Sequence, residues 1–309
     1  MKSTKKTLIA LAITAALGVS GAANAGVLAS ATFSVTNFLL SDASTGTTLS
    51  AAAFETLIAN NNAGISATLN GTTLSNDFNL LITDPATDLS RVCVGPNCGA
   101  APAENNFTVL APPAAAQFSN ADQRLVGTAL NLGPPTTGAN AEVRSDVSLT
   151  GTATGSSNAF VGLNSTFRFS VTQDINIGVN FDAAVNLLAA TEAGVPPPSN
   201  AQASSSVVIT LTDLAGNLIF DFGNPLGSTG CQLNRSITRN APVAIPATYQ
   251  CIGSFAATTG NLTAGTFYDL SVRLATVTNA RLVSEPGVLS LMGLGLLGIG
   301  AALRKRKAA

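Results

Sequence analysis

Apolar and polar residues alternate with a period of two in several stretches of this chain, and this alternation constrains its fold more than any other feature. Such alternation is typical of a β-strand that buries one face. In residues 205–223, Val207, Ile209 and Leu211 fall on one face. The loop Asp213–Asn217 follows, with the glycine and asparagine that hairpin turns need. These residues predict a β-hairpin whose apolar face resumes at Leu218, Phe220 and Phe222.

The same pattern predicts further strands. Residues 166–190 hold two alternating runs separated by Thr172–Asp174, and residues 65–75 form a small hairpin around Asn70-Gly71. Other strands are predicted in residues 31–40, 143–154 and 265–277. The last of these places Tyr268, Leu270, Val272 and Leu274 on one face and ends the body.

One short helix is predicted from Ser50 to Ala59. Ser50 is a suitable N-cap, and Phe54, Leu57 and Ile58 share one helical face. Stretches rich in proline, alanine, glycine and asparagine predict long loops. These are residues 84–106, 111–117, 132–140 and 194–203.

We therefore predict one all-β domain over residues 26–282. Neither an internal repeat nor a break in composition divides this stretch, and a single all-β domain of that size is ordinary. The expected architecture is an antiparallel β-sandwich, jelly-roll-like, with one short helix. Hydrophobic helices are expected at both ends of the chain, outside this domain.

The first 25 residues have the three parts of a secretory signal peptide. Lys2, Lys5 and Lys6 precede an apolar run, and Ala23-Asn24-Ala25 places small residues at the −3 and −1 positions. We predict cleavage between Ala25 and Gly26 after the Sec translocon has engaged the chain. The body is then exported.

The other end of the chain combines an apolar run with a basic cluster. Residues 288–303 contain no charge, and a helix of this length spans about 24 Å at roughly 1.5 Å per residue, against about 30 Å for a bilayer core. Four cations follow and are expected to stay in the cytoplasm. They are Arg304, Lys305, Arg306 and Lys307. The segment predicts a stop-transfer membrane helix, and its four glycines suit a segment that is recognised and removed better than a permanent anchor.

Just before this helix lies Ser284-Glu285-Pro286. Residues 283–309 as a whole resemble a PEP-CTERM sorting signal, which combines a Pro-Glu-Pro motif, a Gly/Leu-rich helix and a basic end. Glu285 and Pro286 match the motif, whereas Ser284 replaces its first proline. The resemblance implies processing by an exosortase-type membrane protease. It also implies a Gram-negative host that makes extracellular polysaccharide.

Charge is distributed unevenly along the chain. All five lysines lie in the two terminal segments, whereas residues 26–303 hold eight arginines and sixteen acidic residues, a net charge near −8. A net-negative exported body does not favour binding to nucleic acid or to anionic lipid.

Four cysteines, Cys93, Cys98, Cys231 and Cys251, allow three disulfide connectivities. The local pairing, Cys93 with Cys98 and Cys231 with Cys251, is the simplest in an oxidising compartment. A four-cysteine zinc site is the alternative, although the second spacing is far outside the usual range.

Missing residue types exclude most catalytic chemistry. The chain has no histidine, and the body has no lysine, which excludes Ser-His-Asp, Cys-His and Ser-Lys catalysis. The absence of tryptophan disfavours carbohydrate stacking. Paired carboxylates remain as one enzymatic route. The candidates, which we interpret mainly as turn residues, are Asp146, Asp174, Asp182, Asp213, Asp221 and Asp269.

Two further sites have a functional and a structural interpretation. Asp84 and Asp88 are the best local pair for calcium. Arg168 lies between Phe167 and Phe169 and is expected to face outward opposite a carboxylate, with a ligand clamp as the alternative.

These features predict a non-enzymatic protein without a cofactor or a metal. We expect an exported structural or interaction protein at the cell surface or in the extracellular matrix, associated with biofilm and extracellular polysaccharide. The alternative is a ligand-binding module for a glycan or for calcium, and a carboxylate-dependent hydrolase is a third hypothesis.

Overall fold

A computed structural model describes residues 26–81, 87–112, 116–127, 138–150, 153–223 and 230–283. These residues form thirteen strands, which confirms the predicted all-β class. The strands are β1 (Gly26–Asp42), β2 (Phe54–Leu69), β3 (Thr72–Leu81), β4 (Thr87–Val94), β5 (Phe118–Val126), β6 (Ala139–Thr150), β7 (Ala153–Val171), β8 (Ile177–Thr191), β9 (Asn200–Asp213), β10 (Leu218–Asp221), β11 (Arg235–Asn240), β12 (Ala247–Thr258) and β13 (Phe267–Leu282).

The strands form two antiparallel sheets. A six-stranded sheet has the order β12-β8-β1-β6-β5-β4. A seven-stranded sheet has the order β10-β9-β13-β7-β2-β3, and its remaining strand β11 also pairs with β9. Both sheets contribute to one apolar cluster, which includes Phe33 and Val185 from the first sheet and Phe169 and Ile209 from the second. This cluster is the main core.

Both predicted hairpins are confirmed. Asn70 and Gly71 connect β2 to β3 with φ angles of 49° and 82°, the left-handed conformation that a two-residue hairpin turn requires. In the second hairpin, Oδ1 of Asp213 accepts hydrogen bonds from the amides of Ala215 and Asn217, both at 2.9 Å. The side chain of Asn217 donates to Oδ2 of Asp213, and this bond is the main cause of a lowered pKa for Asp213.

One prediction within this hairpin is wrong. Leu218 is 58% exposed, whereas Phe222 is buried as expected. The β9–β10 register shifts between Leu218 and Phe220, so the alternation is interrupted there. Leu218 therefore leaves the predicted apolar face, whereas Phe220 and Phe222 both pack against the main core.

The predicted helix from Ser50 to Ala59 is wrong beyond its first turn. A single 3-10 turn covers Ala51–Ala53, without a side-chain cap from Ser50, and strand β2 begins at Phe54. The ring of Phe54 packs edge-on against Phe169 at 5.1 Å between centroids. Strand β2 pairs with β7 on one side and β3 on the other, so sheet pairing outweighs the local helical spacing.

Three of the four predicted loops contain strand residues that the prediction missed. Strand β4 lies inside residues 84–106, β6 begins at Ala139, inside residues 132–140, and β9 begins at Asn200, inside residues 194–203. The two runs of residues 166–190 are strands as predicted, but β7 and β8 belong to different sheets. Their connection, Thr172–Asp174, therefore crosses between the sheets.

The predicted terminal helices, in residues 1–25 and 284–309, lie outside the described residues. Within the ranges that are described, none of the helices is both long and apolar enough to cross a membrane.

Candidate functional site

Most of the predicted processing residues lie outside the described part of the chain. These are Ala23, Ala25, Ser284, Glu285, Pro286, Arg304, Lys305, Arg306 and Lys307. Gly26 is described, and it is the buried first residue of β1. Its amide nitrogen donates to Oε2 of Glu192 at 2.8 Å, and its carbonyl oxygen accepts from the amide of Glu192 at 3.0 Å.

The four cysteines form the two disulfides of the local pairing. Cys93 at the end of β4 bonds to Cys98, and Cys231 bonds to Cys251 of β12. The second bridge fastens the segment before β11 to an edge strand of the other sheet. Since every cysteine is oxidised, none is a thiolate ligand, and the zinc alternative is wrong.

A fully buried ion pair lies on the face of the six-stranded sheet opposite the main core. Arg144 and Asp146 alternate with the core residues Val143 and Val147 along β6, and both charged side chains have 0% exposure. The guanidinium of Arg144 donates to both carboxylate oxygens of Asp146 and to the backbone carbonyl of Asn106. These bonds compensate the cost of removing both charges from water.

Neighbouring side chains complete the shell around Asp146. Ser30 Oγ donates to Oδ1 at 2.6 Å, and Asn120 Nδ2 donates to Oδ2 at 3.1 Å. The amide of Leu110 donates to Ser30 Oγ at 3.1 Å, so the segment around residues 106–110 covers the cluster. With this many internal partners, the cluster is a structural device that attaches the covering segment to the sheet.

The ion pair between Arg144 and Asp146 was not predicted from the sequence. Arg144 and Asp146 are two residues apart on one strand face, which brings their side chains together. That spacing is a signal for an ion pair. Nothing in the spacing indicates that a distant segment will cover the pair.

Asp122 on β5 lies near this cluster and is almost fully buried, at 1% exposure. Its Oδ2 accepts a hydrogen bond from the amide of Asn105 at 2.7 Å. Burial is the largest influence and raises the pKa of Asp122 to about 6, assisted by the negative charges of Glu104 and Asp88. The amide hydrogen bonds from Asn105 and Gln123 oppose this rise.

This raised pKa predicts a pH-dependent stability. A carboxyl that binds protons more tightly when folded stabilises the fold below its unfolded pKa of 3.8, and this contribution is lost as the pH rises through about 6. We expect the free energy of unfolding to fall by about 3 kcal/mol over this range through Asp122. The Asp122→Asn variant keeps an acceptor for Asn105 and lacks the charge, so it should be more stable than the parent at pH 7.5 by about 2 kcal/mol.

Urea unfolding at pH 4 and pH 7.5 measures both effects. The exposed residue Asp77 provides the control, since Asp77→Asn should change stability little at either pH. If the free energy of unfolding changed with pH by the same amount in the parent and in the Asp122→Asn variant, the raised pKa of Asp122 would not explain the pH dependence.

Three of the six candidate carboxylates are turn residues, as predicted. Besides Asp213, Asp174 accepts from the amide of Ala264 at 2.8 Å, and Asp221 accepts from the amide of Gly223 at 2.7 Å. For Asp213 and Asp221 the interpretation as local backbone acceptors is confirmed. Asp174 also binds a backbone amide, but that amide is 90 residues away in sequence and is not local.

The other three lie within strands, so the interpretation as turn residues is wrong for them. Asp146 is part of the buried cluster. Asp182 accepts from Ser254 Oγ at 2.6 Å and from Asn37 Nδ2 at 2.9 Å, and these bonds, the first most strongly, lower its pKa. Asp269 lies directly opposite Arg168 across the β13–β7 pair.

The structural interpretation of Arg168 is confirmed. Its Nε and one terminal nitrogen each donate to Asp269 at 2.8 Å, a two-pronged contact between neighbouring strands. The side chain of Arg168 is 50% exposed, so water screens the pair. Arg168 thus acts as a cross-strand partner.

Of the two aspartates predicted as a calcium pair, only Asp88 belongs to the described residues. Asp84 lies outside the described residues, and the exposed Asp88 accepts from Asn105 Nδ2 at 2.8 Å. In the described ranges, histidine, cysteine, aspartate and glutamate form no group of three or more that could hold a metal ion.

Among the described residues, two open clefts lined largely by hydroxyl groups are further candidates for a binding site. One has a volume of about 330 Å³ and is lined by Asp42, Thr45, Thr47, Thr48, Ser50 and Thr172 among others. The other, of about 340 Å³, is lined mainly by Ser204, Ser205, Ser206, Asn234, Arg235 and Ser236. Most of their hydrogen-bonding groups are uncharged, with Asp42 in the first cleft and Arg235 in the second as charged exceptions, and none of the described lining residues is aromatic.

Comparison of the chain with protein-family models and with curated proteins finds no match.

Proposed function

We propose that this chain is the precursor of an exported, non-enzymatic structural or interaction protein of the cell surface or the extracellular matrix. The observation that carries the proposal is an all-β body with both of its cysteine pairs oxidised, in a chain whose sequence begins like a signal peptide and ends like a sorting signal. Two disulfides are compatible with an oxidising, extracellular environment.

The proposed route has three stages. The Sec translocon exports the chain, and signal peptide 1–25 is removed. The sorting tail 283–309 then holds the chain in the inner membrane through helix 288–303. An exosortase-type protease recognises Ser284-Glu285-Pro286 and releases the body for association with extracellular polysaccharide or biofilm.

The body itself, in this proposal, is an antiparallel β-sandwich of the jelly-roll type. Its edge strand β12 supports a role in interaction. This strand is twelve residues long and contains no charged residue, and Ile252 on it is 57% exposed. Natural proteins usually protect such an edge with charges, because an unprotected edge can pair with another chain.

Intact-mass analysis of the protein recovered from outside its host cell tests the proposal. We expect an N-terminus at Gly26 and a C-terminus close to Ser284–Pro286. A Glu285→Gln variant should keep the tail, because the change removes the charge of the motif. An Asp269→Gln variant in the body should be processed normally. A mass that still includes Lys307 would contradict removal of the tail.

A ligand-binding module for a glycan or for calcium is the second candidate. The observation that favours a glycan is the pair of hydroxyl-lined clefts, since a sugar binds through many hydrogen bonds to uncharged groups. Calorimetry with calcium and with the host's own polysaccharide separates this candidate from a purely structural role, which predicts no heat of binding.

A further inference from the structure

A carboxylate meets the backbone nitrogen of Gly26 at the beginning of strand β1. In the β1–β8 ladder Val27 lies opposite Thr191, so Gly26 and Glu192 face each other at the end of the ladder. Glu192 donates its amide to the carbonyl of Gly26 in the usual way. Its side-chain oxygen Oε2, at 2.8 Å, accepts the hydrogen bond from the Gly26 amide.

Gly26 is also the residue at which the predicted cut would start the mature chain. Before the cut, its nitrogen is a neutral amide with one proton to donate. After the cut, it is an α-amino group with an ordinary pKa of about 8, so it is largely protonated at neutral pH. Before the cut, Glu192 accepts a hydrogen bond from a neutral amide. After the cut, it forms an ion pair with the ammonium group. Charge-assisted hydrogen bonds are roughly twice as strong as those between neutral groups.

The surroundings favour a partner at this position. Gly26 is buried and pairs with Thr150 of β6 on its other side, and Glu192 is half-buried. A buried ammonium group without a counter-charge would be costly. Glu192 supplies this charge, and partial burial reduces its screening by salt.

We propose that Glu192 binds the α-ammonium group that removal of residues 1–25 creates at Gly26, so that cleavage itself stabilises the pairing of β1 with β8. This inference rests on the export route proposed above. Strand β1 lies between β8 and β6 in the middle of its sheet. An ion pair that fixes the position of Gly26 therefore stabilises the pairing of β1 with both of these strands. The uncut precursor lacks the ion pair, and the mature body is the more stable form.

The test compares two chains that differ only in where they begin. One begins at Gly26 and the other at Ala23, both continue to Ala309, and both are released from the same cleavable N-terminal fusion. Each is prepared with Glu192 and with Glu192→Gln. Glutamine can accept a hydrogen bond from an amide but cannot neutralise an ammonium group.

Urea unfolding then gives the ratio of folded to unfolded chain. We expect Glu192→Gln to lower this ratio roughly tenfold in the chain that begins at Gly26 and less than about twofold in the chain that begins at Ala23. The control Glu55→Gln, at an exposed position, should affect both chains equally.

If Glu192→Gln lowered the ratio of folded to unfolded chain equally in both chains, the proposed ion pair would be wrong. Because these chains never pass through the export machinery, the result is independent of where the cell cuts the precursor. The intact-mass experiment tests the cut, and an N-terminus elsewhere than Gly26 would reject the cleavage rather than the chemistry of the pair.

Discussion

Replacing Asp146 by alanine should lower the free energy of unfolding by about 3–5 kcal/mol, the largest effect that we expect from a single substitution in the body. The substitution leaves the guanidinium of Arg144 buried at 0% exposure without its counter-charge. It also removes the acceptor that Ser30 and Asn120 share. Denaturant unfolding of a chain that begins at Gly26 measures the loss.

Two further variants separate the buried charge from ordinary side-chain truncation. The double variant Arg144→Leu with Asp146→Ala removes both charges and should recover at least about 2 kcal/mol of the loss. Asp269→Ala breaks the exposed pair with Arg168 and should cost less than about 1 kcal/mol. If Asp146→Ala also lowered the free energy of unfolding by less than about 1 kcal/mol, the guanidinium of Arg144 would have to be in contact with water. The segment around residues 106–110 would then not exclude solvent from the cluster.

Removing the disulfide between Cys231 and Cys251 should be the second-largest loss. The two cysteines are 20 residues apart, and closing a loop of that length stabilises the fold by about 3 kcal/mol on the chain-entropy model. The variant replaces both cysteines by alanine, so no free thiol remains. Denaturant unfolding without reductant measures the change.

The other disulfide is the matched control. Cys93 and Cys98 are five residues apart, and the same model gives about 2 kcal/mol for the shorter loop. Paired alanine substitutions at these two positions should therefore cost less than those at Cys231 and Cys251. The reverse order would indicate that strain or residual structure in the unfolded chain outweighs loop length.

The features predicted from the sequence were those in which local chemistry and tertiary structure agree. The loop at Asp213 satisfies its own backbone amides, and Asn70-Gly71 adopts the positive φ angles of its turn, so neither depends on distant residues. Arg168 lies between Phe167 and Phe169 in an alternating strand, which predicts that it faces outward opposite a carboxylate. The identity of Asp269 as this neighbour depends on the register between β7 and β13.

Features that depend on distant residues were not predicted. Residues 118–123 of strand β5 are buried on both faces of the sheet and include Asn120, Asp122 and Gln123, so this part of the sequence has no apolar alternation. Its polar side chains can be buried because partners arrive from β6 and from the segment before β5. Strand β12 is different, since Tyr249, Cys251 and Phe255 do alternate, and the signal is weakened by Gly253 and Ala257 at the other inward positions.

In each sheet, one of the inner strands is the first or the last strand of the body. Strand β1 lies between β8 and β6, and β13, the last described strand, lies between β9 and β7. A chain threaded through a translocation pore N-terminus first would deliver β13 after all its neighbours. Until then β7 and β9 would each expose an unpaired edge, and a periplasmic chaperone would have the task of shielding them. On the proposed export route, folding of the seven-stranded sheet is therefore expected to finish only after translocation of the whole body.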